Sequence, residues 1–154
     1  SAVFLQQKGF GNQSTANQSG SSNSIKVLQD GNGNRSEATQ ANGSTKNVID
    51  VDQKGTGNYS WAKQTGNNHS ASVRQTGDYG VSEINQSGYK NIVDVTQSGT
   101  SNKSYVTQNA NLSTVLVDQS GAYNTSTVNQ THSNAISWVQ QVSGSGNTSY
   151  ITQQ

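Results

Sequence analysis

Glutamine recurs along this chain with a spacing that few folds can use. It stands at 7, 18, 29 and 40, then at 53, 64, 75, 86, 97, 108, 119 and 130, each step being 11 residues except one of 13. A fixed recurrence of this kind is the signature of a stacked repeat, and it governs the reading of every other residue.

The 11-residue units are of two alternating kinds, so the full repeat is about 22 residues. One kind reads NQSTANQ (12–18), NRSEATQ (34–40), NYSWAKQ (58–64), GVSEINQ (80–86), NKSYVTQ (102–108), NTSTVNQ (124–130) and NTSYITQ (147–153), with Ser always third. The other is more apolar: SAVFLQQ (1–7), NSIKVLQ (23–29), NVIDVDQ (47–53), HSASVRQ (69–75), NIVDVTQ (91–97) and STVLVDQ (113–119). Both alternate with period 2, which predicts short strands with one face held inward. Between them stand connectors such as GFGN, GNGN, GTGN and TGDYG, where Gly is expected to supply the positive φ of a tight turn. Seven strand–turn–strand repeats follow, at about 1–22, 23–46, 47–68, 69–90, 91–112, 113–133 and 134–154. The seventh fits two registers, 134–140 or 135–141. The second keeps Val139 in the valine column and Trp138 outside, which suits a narrow core better.

A single repeat cannot bury its inward face, but copies stacked about 4.8 Å apart can. The expected fold is all-β: a parallel β-solenoid with two strands per rung, stacked in cross-β fashion. Its core is Val3, Leu5, Ile25, Val27, Ile49, Val51, Val73, Ile84, Val93, Val95, Val106, Val115, Val117, Val128 and Ile151. Inward amides are expected to ladder along the axis, each meeting its own kind in the next rung. The glutamines of that ladder are Gln7, Gln18, Gln29, Gln40, Gln53, Gln64, Gln75, Gln86, Gln97, Gln108, Gln119, Gln130 and Gln153. Its asparagines are Asn12, Asn23, Asn34, Asn47, Asn58, Asn91, Asn102, Asn124 and Asn147, with His69 and Gly80 standing where Asn is expected. The outward columns place no like charges on neighbouring rungs, and Arg74 falls above Asp52.

Composition agrees with stacked β-structure. Only 28% of residues are hydrophobic and 11% charged, a balance that in other chains leads to disorder. Here, however, Pro is absent, the net charge is +1, and the bulk is Asn, Gln, Ser, Thr and Gly. The neutral balance points to no specific nucleic-acid partner, and the lack of a long apolar run to no membrane insertion. With no Cys, thiolate metal sites and disulfides are excluded. His69 and His132 lie in different units without clustered carboxylates, so no metal is expected, and the GxG turns lack the GK[ST] and helix of a phosphate loop. No Ser-His-Asp or paired-carboxylate arrangement stands out, so neither catalysis nor a cofactor is expected.

A solenoid has two open edges, one at each end. The first and last rungs carry no polar cap, and the register sets Asn147 over Asn12, Ser149 over Ser14 and Gln153 over Gln18 of a second copy. The expected subunit contact is Ser1, Val3, Leu5, Gln7, Asn12, Ser14, Ala16 and Gln18 at one end, and Val139, Asn147, Ser149, Ile151 and Gln153 at the other. Such a contact is heterologous and never closes, which makes a filament with the chain as its own partner.

The units S-x5-Q, GxGN and N-x5-Q, as in SAVFLQQKGFGNQSTANQ, closely resemble the repeats of the curlin family, the subunits of bacterial curli fibres. The resemblance spans essentially the whole chain. It implies a secreted functional amyloid that forms an extracellular, cell-surface fibre of the biofilm matrix, serving adhesion and aggregation. It further implies export through an outer-membrane secretion channel and nucleation by a minor subunit. Its ladder residues map onto Ser1, Gln7, Asn12 and Gln18 of the first repeat, and a final repeat without Lys or Arg matches the major subunit. The resemblance also implies a targeting segment, which these residues do not include, so they are read as a mature or ordered portion. A monomeric ice-binding or ligand-binding β-solenoid is the rival reading. An ice-binder calls for a flat outward Thr array, and outward Thr is patchy here.

Overall fold

The computed structural model describes every residue of the chain but Asn42. It is an all-β solenoid of fourteen strands in two parallel sheets. The first sheet stacks β1 (Ala2–Lys8), β3 (Ser24–Asn32), β5 (Val48–Thr56), β7 (Ser70–Asp78), β9 (Ile92–Thr100), β11 (Thr114–Ala122) and β13 (Ile136–Ser145). The second stacks β2 (Gln13–Gln18), β4 (Arg35–Gln40), β6 (Tyr59–Asn67), β8 (Val81–Tyr89), β10 (Lys103–Asn111), β12 (Thr125–Gln130) and β14 (Thr148–Gln153). Each rung supplies one strand to each sheet. Like residues meet like: Val27 pairs with Val51, Val51 with Val73, and Ser60 with Ser82.

The core is a thin double column between the sheets. Ile25, Val27, Ile49, Val51, Val73, Val93, Val95, Val115 and Val117 come from the first sheet, and Ala38, Ala62, Ile84, Val106 and Val128 from the second. Val3 and Leu5, expected in the core, are instead 47% and 44% exposed. Their strand is the first rung, so nothing covers its outer edge. Ile151, on the last rung, is only partly buried for the same reason.

In the seventh rung Val139 pairs with Val117 and Gln141 with Gln119, which leaves Trp138 outside. Gln141 therefore completes the first-sheet column, as the 135–141 register implies, although the ladder glutamines read from the sequence omit it. A register shift follows, with Val142 and Ser143 forming a bulge before Gly144 meets Gly121. The 13-residue step after Gln40 is absorbed before β5, and Asn42 lies outside the described residues. The stack resumes where Thr45 bridges both Ser21 and Asn67.

The turns depart from expectation in an instructive way. The residue just before each inward-facing Asn place has positive φ in all the arcs, and Gly fills it only at Gly11, Gly33, Gly57 and Gly146. Ser22, Lys46, Asn68, Tyr79, Lys90, Ser101, Leu112, Tyr123 and Asn134 hold it elsewhere, at φ between 54° and 61°. That conformation costs an L-residue roughly 1–2 kcal/mol. It persists because the same residue's N–H bonds to the arc one rung back, as in Tyr79 to the Thr56 carbonyl at 2.8 Å and Leu112 to that of Tyr89 at 2.9 Å.

The glycine two places earlier answers to a different constraint. A Cβ on Gly31 would collide with the carbonyl oxygen of Gly55 in the next rung, whereas one on Gly33 would meet nothing. Gly31→Ala should therefore lower the stability of the monomeric fold by about 3 kcal/mol or more, and Gly33→Ala by only about 1 kcal/mol. Denaturant titration of the two variants checks this; equal losses would show that φ, and not the approach of neighbouring arcs, selects glycine.

Candidate functional site

Among the described residues the pockets are shallow surface ones, and no group of three His, Cys, Asp or Glu stands together to hold a metal. The functional features are periodic ones, which end at two open rungs.

Two glutamine columns run the length of the stack. In each, a Gln donates one Nε2 hydrogen to the Oε1 of the next rung. In the first sheet the chain is Gln7 to Gln29 at 2.7 Å, Gln29 to Gln53 at 2.8 Å, Gln53 to Gln75 at 2.8 Å, Gln75 to Gln97 at 3.0 Å, Gln97 to Gln119 at 2.8 Å and Gln119 to Gln141 at 2.7 Å. In the second it runs Gln18, Gln40, Gln64, Gln86, Gln108, Gln130, Gln153. The second Nε2 hydrogen crosses to a backbone carbonyl of the facing sheet, as in Gln64 to Val48 at 2.8 Å and Gln75 to Tyr59 at 2.9 Å. One side chain thus ties rung to rung and sheet to sheet.

The asparagines do not ladder through one another's amides. Asn12 Oδ1 accepts from the backbone N–H of Asn34, Asn34 from Asn58, and Asn102 from Asn124. Their Nδ2 groups donate to carbonyls of the arcs, as in Asn12 to Lys8 of its own rung and Gly31 of the next, both at 2.8 Å. The same clip is made by Asn23, Asn47, Asn58, Asn91 and Asn124. The physical reason is reach: with one methylene fewer than Gln and a position at the turn, the amide meets arc backbone first. Asn147 joins the column through its N–H on Asn124 Oδ1. Ser1 holds this place in the first rung, and its Oγ accepts from the Asn23 N–H at 3.3 Å.

His69 replaces Asn and reproduces its bonds. Its Nδ1 accepts from the Asn91 N–H at 3.2 Å, and its Nε2 faces the Thr65 carbonyl at 3.0 Å. A backbone N–H can only donate and a carbonyl only accept, so the ring is the neutral tautomer with hydrogen on Nε2. At Gly80 the N–H still bonds to Asn58 Oδ1, but no side chain continues the column.

The inward serines behave differently again. The Oγ atoms of Ser14, Ser36, Ser60, Ser82, Ser104 and Ser126 are buried without a partner. Hydroxyls one rung apart, about 4.8 Å, cannot reach each other. Ser149 lies in the same column on the open last rung.

Charged residues lie outside. Lys26 meets Asp50 at 3.3 Å, Lys8 meets Asp30 at 3.8 Å and Lys54 meets Asp52 at 3.6 Å, while Arg35 pairs with Glu37. These exposed pairs contribute little individually.

Two expectations follow. Ser82→Ala removes an unsatisfied buried hydroxyl and should raise stability by about 1 kcal/mol in denaturant titration; a loss of that size would mean that the hydroxyl is satisfied in solution. Burial holds the His69 imidazole below its ordinary value of 6.5, against the opposing pull of the Thr65 and Gly88 backbone. The neutral ring's contribution is therefore present above about 6.5 and is lost as pH falls toward the depressed value, by at most about 1.4 kcal/mol per pH unit. His69→Asn should flatten the stability profile between pH 7 and 5 relative to the parent protein.

A family model described as curlin associated repeat matches residues 1–31, 45–77 and 90–121. Each matched segment runs from one apolar unit through a Ser-bearing unit to the next apolar unit, with the arcs between them. Comparison with curated proteins finds no match. This repeat family and its solenoid are structural rather than enzymatic, and the matched segments carry members of the Gln columns, Asn clips and stacked Gly arcs described above. With the matches covering well over half of its residues, the chain belongs to the curlin repeat family.

Proposed function

We propose that the protein is the structural subunit of an extracellular curli-type amyloid fibre of the biofilm matrix, growing by head-to-tail addition of its own copies. The observation that carries this is the direction of the glutamine bonds. Every one runs from the Nε2 of a rung to the Oε1 of the next rung toward the C-terminus. The last rung therefore ends in Nε2 groups, on Gln141 and Gln153, with no rung beyond them. The first rung begins with the Oε1 atoms of Gln7 and Gln18. Donor meets acceptor only if the seventh rung of one copy receives the first rung of another.

The backbone edges agree. β13 and β14 each have one neighbour, as do β1 and β2, and unpaired parallel edges invite strand addition. In continued register Val139 covers Leu5, Ser149 covers Ser14, Ile151 covers Ala16 and Asn147 meets Asn12. Val3, exposed in the single copy, gains cover in the same step. The last rung carries no charged side chain to repel the newcomer. Family membership further supports a cell-surface location, with a minor nucleating subunit and an outer-membrane secretion channel as partners.

Ile151→Asp tests the reading, since it puts a charge inward on the last rung alone. The variant should join a growing fibre through its intact first rung and then end that tip. Small amounts mixed with the parent protein should therefore slow elongation of seeds and confine it to the opposite tip, followed by electron microscopy and by diffraction near 4.7 and 10 Å. Undiminished growth in an equimolar mixture of folded variant and parent would remove the head-to-tail model.

A further inference from the structure

The outward columns of the first sheet hold a pattern that the inward ladders do not need. One runs Phe4, Lys26, Asp50, Ser72, Asp94, Leu116, Trp138, each in register with the next. Its middle is charged or polar, with Lys26 and Asp50 paired at 3.3 Å. Its large apolar members stand only at the two ends. Phe4 is 53% exposed and Trp138 66% exposed, with Leu116 beside it. Ile136, also exposed, flanks Trp138 on the same strand.

Within the chain Phe4 has no apolar partner in its column, and Trp138 has one on its inner side alone, Leu116. Lys26 lies inside Phe4, and beyond Trp138 there is no further rung. From the register continuing across two copies, we infer that Trp138 of one subunit stacks on Phe4 of the next, making with Leu116 a three-rung hydrophobic seam on the outside of each junction. This rests on the head-to-tail reading above and specifies which side chains, besides the ladders, hold the joint. The occupant is a second copy because the register that sets Val139 over Leu5 necessarily sets Trp138 over Phe4. Strands in a sheet lie about 4.8 Å apart, a distance at which facing rings make offset contact. The bulge at Val142 and Ser143 gives such a seam a purpose. It disturbs the strand edge beside the joint, whereas the β1 of the next copy is a strand of unbroken register.

The seam is testable by fluorescence. In a Trp61→Phe background, Trp138 is the single reporter, and Trp61 lies on the other sheet. On assembly its emission should shift to the blue and its quenching by acrylamide should fall about threefold. Fibres that form while Trp138 remains as quenchable as in the monomer would overturn the seam. So would protection that persists in Phe4→Ser fibres, which would point to lateral packing of filaments instead. Ser72 occupies the same column, so the fold accepts serine at this place. Trp138→Ser and Phe4→Ser should each raise the critical concentration for assembly about tenfold, and the double variant no further than either alone. Simple addition of the two losses, or no loss, would refute the contact. A charge pair, Phe4→Lys with Trp138→Glu, should assemble better than either single variant, and failure to do so counts against it. Ile151→Asp run in parallel separates the two ideas. If it leaves growth undiminished, head-to-tail addition is wrong; if it slows growth and Trp138 variants assemble normally, only the seam is wrong.

Discussion

A carboxamide buried without partners costs about 1–3 kcal/mol, and this chain buries two full columns of them between its sheets. Only a glutamine at the same place in the adjacent rung satisfies the Oε1 of one and the Nε2 of the other. The bonds between Gln29 and Gln53 or between Gln64 and Gln86 therefore do more than add stability. They penalise any slip of register, since a displaced strand would leave amides of both rungs unpaired. The hydrophobic columns alone would not do so, because Val51 packs about as well on Val as on Ile or Leu. Specificity in this core comes from the amides, and apolar burial supplies the driving force around them.

Once rungs are held at that spacing, the arcs have little freedom. The stack of Gly31 on Gly55 and Gly77 leaves no room for side chains between neighbouring arcs. The Asn that follows then fastens each arc to the next through backbone groups, and Gly, Lys, Tyr or Leu alike are drawn into the left-handed region. Strain in the arcs and order in the ladders thus have one origin. His69 shows how narrowly this is defined: a ring with an acceptor and a donor in the right places replaces Asn, and it makes that rung sensitive to protons.

The same constraint explains why the ends matter. Each interior rung is satisfied by two neighbours, and the first and last by one. Soluble solenoids cover such ends with polar caps. Here the last rung is uncharged and exposes Trp138, Ile136 and Tyr150, while the first exposes Phe4, Val3 and Leu5. The direction of the amide bonds gives the two ends opposite characters. On the proposed head-to-tail reading, a chain of this kind is an interior segment of a fibre built from its own copies.

Much of this was legible in the residues themselves. Period 2 and the 11-residue recurrence determine the strands, the inward face, the rung size and the Gln columns, because a strand places alternate side chains on one face whatever its surroundings. The same arithmetic placed Trp138 outside. What it did not reveal depends on distances between parts. Asn12 and Gln18 share an amide, but position relative to the arc sends one to backbone and the other to its own kind. Leu5 and Val51 occupy the same repeat place, yet only the latter has a neighbour on both sides. Tyr79 and Leu112 adopt a backbone form that their own propensities oppose, and the bulge at Val142 arises where one extra residue must fit a stack already in register. Sequence alone decides which residues recur and which face they take, since covalent geometry is local. Tertiary structure decides how each recurrence is satisfied, since hydrogen bonds and close approach depend on what lies one rung away.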